Sequence, residues 1–308
     1  MKLLKQILNK NKRGTIGLEF EFEGVNDNYN IKELNSKYPV QKWNKVKDGS
    51  LRNGSFELVL KEPVGFTTSK KLVKDLYEWI GCCGGFTPSI RTSTHVHLNV
   101  LKRNINEVMK IIYLYYRLEP YLMDLLPEER KENFYSLPLE YAEGPIIRLI
   151  SYCDSFIKLK YKLYDIKFIS SLNNDRRYSS LNLCSIPKYG SLEFRMFHLE
   201  KDVSKVIRWI EIIKVINDIA IKHSTEEVLN KDIKEILKWI GVKPLSKKYH
   251  SNDNLLKLLN VKFNIATCGM YNDQNSQLQQ EKQECENFTE TVRPSSQRTI
   301  SSRSYYFN

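Results

Sequence analysis

No C-x-x-C pair occurs in this sequence: its six cysteines, Cys82, Cys83, Cys153, Cys184, Cys268 and Cys285, form one adjacent couple and are otherwise widely spaced. That spacing argues against a structural zinc site and against a dense disulfide framework. There is also no apolar run approaching the ~18 residues that span a bilayer. The opening MKLLKQILNKNKR interrupts its leucines and isoleucine with lysine and polar residues. It therefore lacks a secretory h-region and reads as a short amphipathic helix over 1–13. No membrane partner is expected, and a reducing cytoplasm is the expected location. Clustered Lys/Arg with interleaved aromatics is missing too. The excess of 48 Lys+Arg over 36 Asp+Glu, a net charge of +12, favours polyanions in general. Without a basic tract it carries little argument for DNA or RNA. No internal repeat is visible.

What the chain does have is ample apolar content, 41% hydrophobic and 11% aromatic over 308 residues, enough for a large single domain or two modest ones. Alternation predicts strands at about 14–24, 40–47 and 54–61, the last two separated by KDGSLRNGS, where Gly49 and Gly54 permit the turn. SKKLVKDLYEWIG has helical periodicity and ends at Gly81. The glycine-rich GCCGGFTPS leads into the strand TSTHVHLNV, and helices are predicted at about 105–126 and 145–164. Strands at about 178–184 and 190–197 are joined by SIPKYG, which has the composition of a hairpin turn. Helices follow at about 203–223, 226–239 and 253–260, the second capped by Ser224 and Thr225 ahead of glutamates. From Cys268 the composition turns to Gln, Ser, Asn and Thr without periodic apolar residues, a tail expected to be disordered. The domains so predicted are an N-terminal helix (1–13), a catalytic domain (14–223), a helical extension (224–267) and the polar tail (268–308).

Four strands are one-sided in charge. In GLEFEFEG, Glu19, Glu21 and Glu23 recur at every second position with Phe20 and Phe22 between them. In THVHL, His95 and His97 share a face; in SLEFRMF, Glu193 and Arg195 do; in GSFELVL, Glu57 lies opposite Phe56, Leu58 and Leu60. Each strand alone reads equally as a solvated face over a core. Placed in one antiparallel sheet with helices on the apolar side, they would gather Glu19, Glu21, Glu57, His95, Glu193 and Arg195 on the other side. Carboxylates so close repel one another and call for cations. Carboxylate oxygens with one or two imidazoles suit Mg²⁺ or Mn²⁺, and a nearby arginine suits phosphate. Metals with phosphate point to nucleotide chemistry.

The ordered series IGLEFEFEG, DGSLRNGSFELVLKEP, THVHLNV, RYSSLNL and GSLEFRMF resembles the amidoligases, carboxylate–amine ligases related to glutamine synthetase and glutamate–cysteine ligase, many from phages and mobile elements. The resemblance covers about 14–220. It implies an α+β fold with a curved antiparallel sheet whose concave face binds ATP and divalent ions. Carried over residue by residue, it makes Glu19, Glu21, Glu57, His95 and Glu193 metal ligands, with Glu57 also a catalytic candidate. His97 is placed near the nucleotide phosphates, Arg195 facing the transferred phosphate, and Arg177 on phosphate or a substrate carboxylate. Glu23 has no role in the pattern. The implied activity is ATP-dependent amide or peptide bond formation through an acyl phosphate, with small-molecule or peptide acids and amines as substrates. Two rivals stand beside it: a metal-dependent phosphoesterase or nuclease, for which Asp48 is the only aspartate near a motif, and a ligase fold that binds without catalysing.

Overall fold

The computed structural model describes residues 3–25, 40–47, 51–52, 55–131, 136–139 and 179–242. The helices predicted at 145–164 and 253–260, Arg177 and the tail from 268 lie outside them. Among the described residues, six strands form one antiparallel sheet: β1 (Ile16–Phe22), β2 (Trp43–Val46), β3 (Phe56–Leu60), β4 (Thr94–Asn99), β5 (Leu181–Asn182) and β6 (Ser191–Phe194), in the order β2-β3-β1-β4-β6-β5. The helices are α1 (Leu4–Leu8), α2 (Phe66–Cys82), α3 (Ile105–Met123), α4 (Glu128–Lys131), α5 (Ser185–Tyr189), α6 (Val203–Lys222), α7 (Thr225–Asn230) and α8 (Ile233–Ile240). The chain is thus α+β, as its patterning implies.

The period of two does the sorting. Ile16, Leu18, Phe20 and Phe22 of β1, Phe56, Leu58 and Leu60 of β3, Val96 and Leu98 of β4, and Leu192 and Phe194 of β6 are all buried in one core. Helices α2 and α6 meet this face at β1 and β4, and α6 also packs on α2 and α3. Fully burying such aliphatic and aromatic side chains contributes roughly 1.5–3 kcal/mol each before the entropy of ordering is charged against it. The opposite face is left to the polar residues.

Several predicted boundaries change for identifiable reasons. The N-terminal helix is only Leu4–Leu8, closed by Asn9 in the left-handed conformation at φ 51°. The helix predicted as 226–239 is two, α7 and α8. Arg117 donates to the Lys231 carbonyl at 2.8 Å, and Asp232 starts a new helix by accepting from the Lys234 amide at 2.7 Å. At the other end the expected cap holds: the Ser224 hydroxyl and Glu227 carboxylate exchange hydrogen bonds with each other's backbone amides. SIPKYG is not a tight turn but the single-turn helix α5, ended by Gly190 at φ 74°. Short helices carry no readable period.

Gly190 has two reasons to be glycine. Its backbone is left-handed, and a Cβ there would meet Leu101 Cδ2 at 2.4 Å. Gly190→Ala should therefore destabilise the fold by roughly 1–3 kcal/mol, read as a lowered Tm. An unchanged Tm would mean that Leu101 moves aside without cost.

Candidate active site

The strand register lays the charged residues out in rows. Gly17 of β1 faces His97 of β4, which faces Glu193 of β6, which faces Asn182 of β5. The next row holds Val59, Glu19 and His95, and the next Glu57 and Glu21. The Glu21 amide is bonded to the Ser93 carbonyl at 3.0 Å, which continues that row past the end of β4. Glu19, Glu21, Glu57, His95, His97, Glu193 and Arg195 all line one cavity of about 890 Å³. A Cβ on Gly17 would sit 3.2 Å from that of His97, so glycine leaves the His97 ring room in its row.

Glu19 is the hub. Its Oε1 is 2.9 Å from His97 Nε2 and its Oε2 is 3.2 Å from His95 Nδ1. His95 Nδ1 is also 3.6 Å from Glu193 Oε1, which pairs with Arg195 Nη1. On its far side, His95 Nε2 is 2.6 Å from the Ser93 hydroxyl, which in turn donates to Glu21 Oε2. A hydroxyl has one proton, so if Ser93 gives it to Glu21 it must accept from His95 Nε2–H. In that tautomer Nδ1 is the side of the ring that faces the carboxylates of Glu19 and Glu193. Such an arrangement has the donor chemistry to take a cation, with Ser93 holding the imidazole from behind.

Two groups of donor atoms lie close enough to share an ion: Glu19, Glu57 and His95, and Glu19, His97 and Glu193. Oxygen and imidazole donors without thiolate fit Mg²⁺ or Mn²⁺. His97, which the family resemblance implies lies near phosphate, stands among the donor atoms. Glu21 reaches His95 through Ser93. Glu23 lies beyond β1 and outside the cavity lining; it accepts from the Arg52 amide at 3.1 Å and pairs with its guanidinium at 3.8 Å.

The charges of the cluster hold one another in place. Burial by itself would raise the Glu19 carboxyl, but the charges and hydrogen bonds of His97 and His95 outweigh it and hold it well below the usual range. Glu193 is likewise pulled down, against burial, by His97, Arg195 and His95. His97 is raised, because Glu19 and Glu193 outweigh the burial that would lower it.

Sequence reasoning missed Ser93, Asn182, Arg91 and Arg130, and the lysines Lys12, Lys61 and Lys188, all of which line the cavity. Ser93 was within reach, because it precedes His95 by two and continues the same alternation. Asn182 stands in the RYSSLNL segment and donates to Glu193 Oε2 at 2.7 Å. Arg130, on the four-residue helix α4, has no pattern that would reveal it.

A family model described as "putative amidoligase enzyme" matches residues 59–217, half of the chain. The chain belongs to the amidoligase family. The matched span contains His95, His97, Asn182, Glu193 and Arg195, and it begins just after Glu57. Within this amidoligase, then, the β1 carboxylates and Glu57 join the site by strand register rather than by the family match. A comparison with curated proteins finds no match. Among the described residues no helix is long and apolar enough to cross a membrane.

The shifts fix the sign of a pH dependence. His97, raised by its partners, contributes stability that is full below its ordinary value and is lost as pH climbs through the raised one. The lowered Glu19 and Glu193 contribute stability that is lost as pH falls through their depressed values. The chelated protein should therefore be most stable in weak acid. Added Mn²⁺ should raise Tm more at about pH 8 than at about pH 6, because it competes with the proton on His97. Thermal melts with and without Mn²⁺ across that range test this; an increment that is flat, or larger in acid, would contradict it.

Proposed function

We propose that this amidoligase is an ATP-dependent carboxylate–amine ligase with a glutamine synthetase-like sheet, acting through an acyl phosphate. The observation that carries the reading is the pair of donor groups sharing Glu19, with Arg195 beside them in one cavity. A carboxylate does not condense with an amine, because its oxygen is a poor leaving group. Transfer of the γ-phosphoryl of ATP to the acid oxygen converts that oxygen into phosphate, which the attacking amine then displaces.

Glu19, Glu57 and His95 would hold one divalent ion, and Glu19, His97 and Glu193 the other. When bound, such ions neutralise phosphate charge. Arg195 sits at the end of β6, with Nη1 on Glu193 and 3.5 Å from His95 Nδ1. Its guanidinium is therefore held beside the donor atoms, where charge grows on the group in flight. Asn182 occupies Glu193 Oε2 and leaves Oε1 turned towards Arg195 and His95. The hydrolytic alternative has less support: no aspartate lines the cavity among the described residues.

The test is ADP release with Mg²⁺ and ATP against panels of acids and amines, including amino acids, peptides and polyamines. Release should require both partners. Arg195→Lys should lower kcat by one or more orders of magnitude, about 2–4 kcal/mol, because it keeps the charge but loses the planar fork, while Mn²⁺ affinity stays unchanged. Phosphate-ester hydrolysis without ATP, or full activity in Arg195→Lys, would contradict the proposal.

A further inference from the structure

Glu23 continues the alternation of Glu19 and Glu21 but takes no place in the cavity lining. It is 5% exposed. The chain turns directly after it through Gly24 at φ 72°, and the Thr87 amide donates to the Glu23 carbonyl at 3.0 Å. Its backbone is thereby tied down. What its side chain holds is the approach to β3: Oε1 accepts from the Arg52 amide at 3.1 Å, and the Arg52 carbonyl accepts from the Ser55 amide, also at 3.1 Å. Ser55 is the residue before the strand, and the buried Leu51 anchors Arg52 from the other side.

That approach needs holding. Glu57 is the second residue of β3 and stands directly across from Glu21 of β1, and both side chains line the cavity. Like charges opposite each other on paired strands push the pair apart, and strand ends are where pairing opens first. The one carboxylate that β3 supplies to the group Glu19, Glu57 and His95 therefore sits at the weakest point of the sheet. A carboxylate bonded to a backbone amide is the strong, charge-assisted kind of hydrogen bond. The Arg52 guanidinium, 3.8 Å from Glu23 Oε2 on a side chain that is 70% exposed, adds little to it.

We propose that Glu23 is a positioning residue for the first ion-binding group: it clamps the start of β3 so that Glu57 can share an ion with Glu19 and His95. The inference rests on the two-ion part of the ligase reading. It gives the third carboxylate of GLEFEFEG a task of its own. Glu19 and Glu21 face the cavity, and Glu23 secures the strand next to them.

The test is Mn²⁺ binding to the full-length protein, followed by electron paramagnetic resonance. Glu23→Ala should weaken one of the two ions by about tenfold or more and leave the other unchanged. Glu23→Gln keeps a carbonyl oxygen for the Arg52 amide and should restore that ion, and Arg52→Ala, which removes only the guanidinium, should bind both ions as the unaltered protein does. Coupling is reciprocal, so Mn²⁺ should slow hydrogen exchange of the Arg52 amide in the unaltered protein but not in Glu57→Gln, a readout that needs no Glu23 variant to fold. Equal weakening of both ions or of neither in Glu23→Ala, no rescue by Glu23→Gln, weakening by Arg52→Ala, or Arg52 exchange indifferent to Mn²⁺ would overturn the proposal. Fewer than two ions in the unaltered protein would overturn it together with the two-ion reading. Two ions that respond to Glu23→Ala as stated, without ADP release for any acid and amine, would count against the ligase chemistry alone.

Discussion

Glu19 is shared, and the rest of the site follows from that. Its two carboxylate oxygens each meet a different imidazole, His97 and His95, on the neighbouring strand. A half-buried carboxylate in such a cluster keeps its charge only with such compensation, and the compensation is mutual: against the desolvation, the imidazoles lower Glu19 while Glu19 raises His97, and Glu193 is lowered by His97, Arg195 and His95. The cluster is therefore a set of charges balanced by protons and by Arg195, and on the proposed reading a divalent ion takes the place of protons. That exchange demands that the donor atoms already stand close together. The antiparallel register secures it, because β1, β4 and β6 bring their polar faces into common rows over a core of Ile16, Leu18, Phe20, Val96, Leu98 and Phe194.

Much of this was legible in the sequence. Alternation along GLEFEFEG, GSFELVL, THVHLNV and SLEFRMF identified four strands and the polar face of each, because a half-buried strand cannot hide its period. Strand order was not legible: no local feature states that β1 lies between β3 and β4, or that β6 lies beside β4. The break between α7 and α8 was readable in principle, since Asp232 and Glu235 have the spacing of an N-terminal cap. Apolar periodicity on both sides of the break masked it. The single-turn α5 left no period to find.

At the site, the sequence supplied residues that face the cavity by alternation and missed those that arrive from elsewhere. Ser93 and Asn182 act by orienting His95 and Glu193, and such partners are chosen by register rather than by type. Arg130 comes from a helix far from any motif and reaches the site by holding the carbonyls of Ile90, Arg195 and Met196. Arg177, given a binding role by resemblance, lies outside the described residues.

The central claim is that one carboxylate serves two ion-binding groups. Counting bound Mn²⁺ by electron paramagnetic resonance, in the unaltered protein and in Glu19→Gln and Glu57→Gln, tests it directly. Two ions per chain are predicted for the unaltered protein, one for Glu57→Gln, and tight binding of neither for Glu19→Gln. A single ion in the unaltered protein, or two tightly held by Glu19→Gln, would contradict the account.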